Sequence, residues 1–399
     1  MQVQDLTSAI LQQMPKVGKC QRRFIIHIMD LFLRMSGRKN FLMMERYGIY
    51  SEQSYRLNFE KDFDFKRFNS HLIVENCGRE KLWIFDPSFI RKSGKKTPGV
   101  GYFWSGSANA VQWGLELGCL AVADVENHTA FHYHASQTKH IQGEEKLLSY
   151  YAGIITKQSE EMKAISPVVC VDAYFSKKSF VDSITASGLT VISRLQKNIY
   201  LRYGYRGEQT GKKGRPTIYA GRVDTKALNM DYFKRIGGEG NERIYEGVVH
   251  VRSLKQWCTV VVVHTLKGEE VTTVSVYFST DRQMSGLQIY QYYKLRFQIE
   301  FLFRDGKHFL GLQECQSRQE KALDFQYNVS LTALNVAKVA HWLSIPKEQR
   351  GAFSMADITT RYANKYILDS IITIYGKDPN IEINNPQIKQ LYLLGKIAA

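Results

Sequence analysis

The sequence predicts an α/β layered core with a β-rich insertion, plus helical N-terminal and C-terminal regions. Three observations predict it. Apolar residues recur at helical spacing through the first eighty positions. From Lys81 the pattern changes to short apolar runs bounded by turns, alternating with helical stretches. Residues 198–281 then interrupt that alternation with a Gly-, Tyr- and Arg-rich stretch that becomes strand-like. The resulting segments are a helical region over 1–80, the first part of the core over 81–197, and the insertion over 198–281. A helix completing the core falls in 282–315 and a helical C-terminal region in 316–399.

Each element has its own justification. Residues 20–34 place Phe24, Ile28, Leu31 and then Met35 on one helical face. Residues 41–47, Gly48 and 51–59 read as helix, turn, helix, with Ser51 as N-cap. Such a pair is compatible with a DNA-binding helix-turn-helix, in which Tyr55, Arg56 and Asn58 would be the exposed base readers. Any short helical hairpin gives the same pattern. Residues 82–85 form an apolar run ending in Asp86, and 168–171 form another ending in Asp172. Residues 113–122 and 129–134 flank a turn and read as an antiparallel pair. Helices are expected over 143–165 and 176–187, and a strand over 189–195. In the insertion, strands fall at 246–254, 257–265 and 271–278, followed by one long helix from about Ser285 to Lys307.

Charge narrows the function. The 399 residues carry 54 Lys+Arg against 38 Asp+Glu, a net charge of +16 with a pI near 9.4. The excess is clustered in residues 16–39, in the acid-free loop Arg91, Lys92, Lys95 and Lys96, and in residues 194–222. Three separated basic blocks suit a protein that holds a phosphate backbone at several places. No aliphatic run approaches the roughly 20 residues that span a bilayer. The N-terminus lacks the pattern of a signal peptide. The expectation is an intracellular, cytoplasmic protein with no membrane partner. Six cysteines lie far apart without a CxxC pair, which excludes a zinc ribbon and argues against a disulfide scaffold; Cys119, Cys170 and Cys258 read as core thiols. No phosphate-cradling glycine loop is present, so no nucleotide cofactor is expected.

On a helical wheel Tyr293, Arg296, Glu300, Arg304 and Lys307 share an arc of about 80°. Tyr292, Leu295, Ile299 and Leu302 take the opposite side. By itself the charged arc reads as a solvated face with i,i+4 ion pairs. Asp86 and Asp172 change that balance. If their strands are neighbours, both carboxylates emerge at one sheet edge, and Glu300 can join them. Three carboxylates suit hard divalent cations such as Mg²⁺. Two such ions, with Mn²⁺ as a substitute, serve phosphodiester chemistry.

The spacing Tyr293-x2-Arg296-x3-Glu300-x6-Lys307 resembles the Tyr–Arg–Glu–Lys signature of bacterial insertion-sequence transposases of the DDE, cut-and-paste class. Asp86 in Ile84-Phe85-Asp86-Pro87-Ser88 resembles the family's first acidic motif, and Asp172 in Val169-Cys170-Val171-Asp172-Ala173 its second. The resemblance covers about residues 81–341. It implies an α/β ribonuclease-H-like (retroviral-integrase-like) catalytic core carrying the β-rich insertion. Asp86, Asp172 and Glu300 would be the catalytic metal ligands for two Mg²⁺ ions. Tyr293, Arg296, Lys307 and Arg304 would hold DNA phosphates. It further implies cutting at the element's ends, a hairpin intermediate, and joining of 3′-hydroxyls to target DNA. Double-stranded DNA and a second copy of the chain in the DNA complex are the implied partners, with the C-terminal region as the dimerisation element and the nucleoid as the place of work. The position after Arg296, commonly Trp in the family, is Phe297 here.

Weaker candidates complete the reading. Phe297 and Trp257 could stack on bases, although core packing is the plainer role for Trp257. Lys212, Lys213 and Arg215 form a basic loop resembling a minor-groove hook. His128, His132, His134 and His140 are close in sequence, and a strand surface suits them better than a zinc site. Two rivals to transposition share the same residues: a domesticated nuclease that cleaves without joining, and a non-catalytic DNA-binding protein.

Overall fold

The computed structural model describes residues 2–138, 141, 143–209, 215–382 and 384–397. Five helices come first: α1 (Val3–Gln12), α2 (Lys19–Arg34), α3 (Phe41–Tyr47), α4 (Glu52–Phe59) and α5 (Phe65–Asn76). In α2 the spacing-predicted Phe24, Ile28 and Leu31 are buried. Asn40, Ser51 and Asp64 cap α3, α4 and α5, each accepting from the backbone N–H three residues on. These caps satisfy donors that a helix start leaves unpaired.

Tyr55 corrects the expectation of an exposed reader. It is wholly buried, with its hydroxyl 2.6 Å from His27 Nε2 and its ring against Phe24 and Tyr50. The reason is helical spacing: Tyr55 and Phe59 form the inward stripe of α4. Arg56 is exposed and paired with Glu52, while half-buried Asn58 donates to the Ser54 carbonyl.

The core follows as β1 (Lys81–Arg91), β2 (Gly101–Ser105), β3 (Ala110–Asp124), β4 (Thr129–Gln137), α6 (Glu144–Thr156), α7 (Ser159–Lys163), β5 (Val168–Cys170), α8 (Lys178–Ala186) and β6 (Thr190–Arg194). The helix predicted over 143–165 is thus divided in two. The insertion supplies β7 (Leu201–Gly204), β8 (Tyr219–Arg222), β9 (Lys234–Gly237), β10 (Glu242–Val251), β11 (Gln256–Lys267) and β12 (Glu270–Ser279). After it come α9 (Gly286–Leu295), α10 (Gln298–Phe309), α11 (Glu320–Ser344), α12 (Met355–Ile374), α13 (Pro379–Glu382) and α14 (Pro386–Tyr392).

All twelve strands share one mixed sheet. β1, β3 and β4 form an antiparallel meander, and β1, β5 and β6 run parallel. Helices α6 and α8 make the crossovers that parallel strands require. β12 adds antiparallel to β6, so the insertion extends the core sheet through β11 and β10. Of the short parallel strands, β5 is buried throughout and β6 over its central residues Val191, Ile192 and Ser193.

Helices cover both faces. Phe85 meets Tyr151 of α6 and Phe175 on one face. Side chains alternate along a strand, so Asp86 lies on the other. That face is taken by α10 and α11: Lys307 Nζ donates to Ser88 Oγ at 2.9 Å, and Asn328 meets His132 of β4 at 3.2 Å. α11 is buried along most of its length, from Ala322 to Ala340, between β4 and the N-terminal helices.

Candidate active site

Asp86 does not end its strand, as the sequence reading had it. β1 continues five residues further to Arg91, still paired with β3, because Ser88 and Ile90 keep the strand alternation going. What ends beside Asp86 is the neighbour on the other side. β1 pairs with β5 only at Trp83↔Val169 and Ile84↔Cys170. The sheet therefore opens a cleft just where Asp86 stands. Asp172 leaves β5 at the same edge and caps a turn of 3-10 helix, its Oδ1 accepting from Tyr174 N–H at 2.9 Å. Ser193 of β6 donates to the Asp172 carbonyl at 2.7 Å, fixing the turn.

Glu300 comes from the helix that was expected to run unbroken from Ser285 to Lys307. It is broken. α9 ends at Leu295, and Arg296 and Phe297 form a tighter turn before α10. The N–H groups of Arg296, Ile299 and Glu300 each bond a carbonyl three residues back. No glycine or proline occurs there. The inward stripe survives the break, with Tyr292, Leu295, Ile299 and Leu302 all buried.

The charges meet at Arg296. Its guanidinium lies 3.3 Å from Glu300 Oε1. Burial pushes the Asp86 carboxyl up to about 8; Arg296 opposes that rise, and the negative charges of Asp172, Glu300 and Glu116 add to it. Burial also raises Asp172, again against Arg296. Three carboxylates thus share one guanidinium. Glu116, in Leu115-Glu116-Leu117 of β3, was missed from sequence. Its signal was a carboxylate inside an apolar strand; it is buried and accepts from Tyr151 Oη.

A family model described as the transposase DDE domain matches residues 119–336, more than half of the 399 residues. The chain belongs to the transposase DDE domain family. A comparison with curated proteins finds no match. The match takes in Asp172 and Glu300 and starts at Cys119, the register partner of Asp86 across β1 and β3. DNA is accordingly the partner of this transposase.

The remaining predicted residues of the transposase fall in three places. Around the cleft, Tyr293 sits with its ring 4.7 Å from Tyr277 and 5.8 Å from the Arg296 guanidinium, and burial pushes its hydroxyl up to about 12. Burial lowers Lys307. Phe297 is half exposed, edge-on to Phe301. Arg304 is turned to Asp305 at 2.8 Å and lies over the Phe301 ring, lining a cavity of about 500 Å³ with Lys338 and Trp342. Arg91, the last residue of β1, is exposed, as are Lys95 and Lys96 in the loop after it, while Lys92 donates to the Cys315 carbonyl. In the insertion, Trp257 is half-buried and stacked on Tyr219 rather than in the core; Arg215 is exposed. Lys212 and Lys213 lie outside the described residues, as does His140.

His132 is fully buried between Cys119 and Asn328, not on a strand surface, because its side of β4 receives α11. Among the described residues no three Asp, Glu, His or Cys side chains are grouped closely enough to enclose a metal ion. The donor chemistry at the cleft nonetheless suits a hard divalent cation. All three carboxylates offer oxygen, and burial together with the neighbouring acids opposes charge on Asp86 more than Arg296 favours it, a balance that a bound cation would reverse. Cys119, Cys170 and Cys258 are buried free thiols, as expected. No helix among the described residues is long and apolar enough to cross a membrane.

Proposed function

We propose that this transposase cuts an insertion sequence out at its ends and joins the freed 3′-hydroxyls to target DNA. The supporting observation is the grouping of Asp86, Asp172 and Glu300 around Arg296, with Glu300 at the Tyr–Arg–Glu–Lys spacing. The strand order β4-β3-β1-β5-β6, with β3 antiparallel and β5 parallel to β1, supports a ribonuclease-H-like core.

Asp86, Asp172 and Glu300 would hold two Mg²⁺ ions, which when bound lower the pKa of water and offset charge on the phosphate. For this, Glu300 releases Arg296, which is free to take a phosphate oxygen in exchange. Guanidinium suits bidentate phosphate contact. Lys307, anchored on Ser88 beside Asp86, places a point charge at the same phosphate. The Tyr293 hydroxyl stays protonated and donates to it. Water first breaks one strand at the element end, leaving a 3′-hydroxyl. That oxygen then attacks phosphorus in the opposite strand, the flanking 3′ oxygen leaves, and a hairpin closes. Water reopens the hairpin, and the 3′-hydroxyl attacks target DNA in the same manner. The exposed Phe297 ring can cover a base displaced by hairpin closure. Two copies of the chain act on two ends.

The test is a cleavage and joining assay on the DNA bordering the coding sequence, with Mg²⁺ or Mn²⁺, comparing wild type with Glu300→Gln. Wild type should cut and join. The variant should bind equally and do neither, a loss of at least about a thousandfold. Equal activity would remove Glu300 from the reaction, and cutting without joining would favour a nuclease.

A further inference from the structure

A hairpin arm carries the sheet past the end of β1. β1 accompanies β3 from Asp124 to Gly114, and β2 accompanies it from Gly114 to Ala110. The arm begins at a glycine pair, Gly101↔Gly114. A Cβ on Gly114 would lie 2.5 Å from the Ile90 carbonyl oxygen, so only glycine permits that approach. Beyond it two direct pairs follow on one face, Tyr102↔Trp113 and Trp104↔Val111. All four are open to solvent: Tyr102 by 64%, Trp113 by 36%, Trp104 by 55% and Val111 by 60%. Phe103, on the opposite face, is buried. Leaving a contiguous aromatic face in water forgoes the burial that stabilises other strands, and such patches mark interaction sites.

The register says which way this face looks. Directly paired residues share a face, and β3 runs from Cys119 to Val111 without a register shift against β1 or β2. Asp86 pairs with Cys119, so Trp113 and Val111 look out on the side of the sheet that holds Asp86 and Ser88. Six residue steps along the strand lead from Cys119 to Trp113. At about 3.4 Å each that is about 20 Å, the length of about six stacked base pairs.

Charge selects the occupant. Between Asp86 and Glu116 the chain has no acid and has Arg91, Lys92, Lys95 and Lys96. A second copy of a +16 chain would meet like charge there. A polynucleotide offers phosphates for the loop and flat apolar faces for the rings. We propose that the β2–β3 arm is a base-stacking element: unpaired DNA bases lie on Tyr102, Trp104 and Trp113, and the 91–96 loop holds the adjoining phosphates. The proposal rests on the transposition reading for its substrate.

The experiment titrates the full chain with oligothymidylate of about 20 nucleotides, reading tryptophan fluorescence. Wild type should be quenched on binding. Trp104→Leu combined with Trp113→Leu should lose most of the quench and bind at least about tenfold more weakly. Its salt dependence should not change, since no charge is removed. Lys95→Ala with Lys96→Ala should do the reverse, lowering the salt slope by about one to two and keeping the quench. Trp104→Phe should retain binding. Unchanged affinity and quench in the double leucine variant overturn the proposal. So does a DNA-free dimer that dissociates in that variant, which would make the arm a contact between copies. If wild type cleaves DNA without binding oligothymidylate, this inference alone fails. If it is quenched through the arm but never cleaves, the reading of function fails and the arm stands.

Discussion

The surroundings of Asp86 favour its protonated form. In the folded chain its carboxyl rises to about 8, first through burial and then through Asp172, Glu300 and Glu116. Unfolded, it titrates near 3.9. Between those values the folded state binds the extra proton, so stability falls as pH rises toward 8. Asp86→Asn removes that dependence. The variant should melt at higher temperature than wild type at pH 8, equal it near pH 4, and be inactive. Mg²⁺ should raise the melting temperature of wild type at pH 8 and leave that of the variant unchanged. Glu300 was legible because its partners stand at fixed offsets along one segment. Asp86 was legible as a residue and misplaced as a strand end. Its own run of hydrophobicity pauses there, whereas the strand that stops is β5, eighty residues away. Tyr55 was misread for a similar reason: a tyrosine reads equally well as a surface or a core residue until its neighbours are known.

Elements are held by contacts that periodicity does not encode. β4 lies at the rim of the core, with β3 as its strand neighbour. Two asparagines of α11 serve the peptide groups of His132 and Ala135 on it. Asn335 accepts from His132 N–H at 2.9 Å and donates to its carbonyl at 2.7 Å; Asn328 does the same for Ala135 at 2.9 and 3.0 Å. An exposed rim of unpaired peptide groups would invite another strand. Asn335→Leu strips partners from both peptide groups of His132 and from Asn69. It should cost on the order of 3 kcal/mol, measured by denaturant unfolding, with m unchanged. The sequence marked 316–399 as helical, and helix propensity suffices for that. It could not mark these asparagines, because buried Asn in a helix reads as a weak helix former until its partner strand is in view. The break between α9 and α10 was equally hidden. No breaker residue stands there, and the turn brings Arg296 to the carboxylates.

At the scale of the molecule the same ionisable groups set opposite limits to stability. Burial lowers His132 to about 3 and both His134 and His27 to about 4. These rings stay neutral in the folded state, while the unfolded chain protonates them near 6.5. Their contribution is complete above pH 6.5 and is lost as pH falls below it. Asp86 works the other way, from about pH 4 to about pH 8. Melting temperature should therefore peak near pH 6.5, and Asp86→Asn should flatten the alkaline side and steepen the acid side. The order of strands and helices in the core could be read from hydrophobic runs, because buried parallel strands and amphipathic helices each impose a period. The joining of the insertion to the same sheet could not, since β6 and β12 pair across more than eighty residues and nothing local records it.

The asparagine lock on β4 also sets a clock on synthesis. His132 leaves the ribosome about two hundred residues ahead of Asn335. At about 5–20 residues per second the interval is about 10–40 s. Through that window a nascent chain displays an unshielded strand, and polysomes bring sister chains close to it. Ribosomes that stall or stop before α11 would release sticky fragments, so full-length product should depend on chaperones more steeply than its final stability suggests.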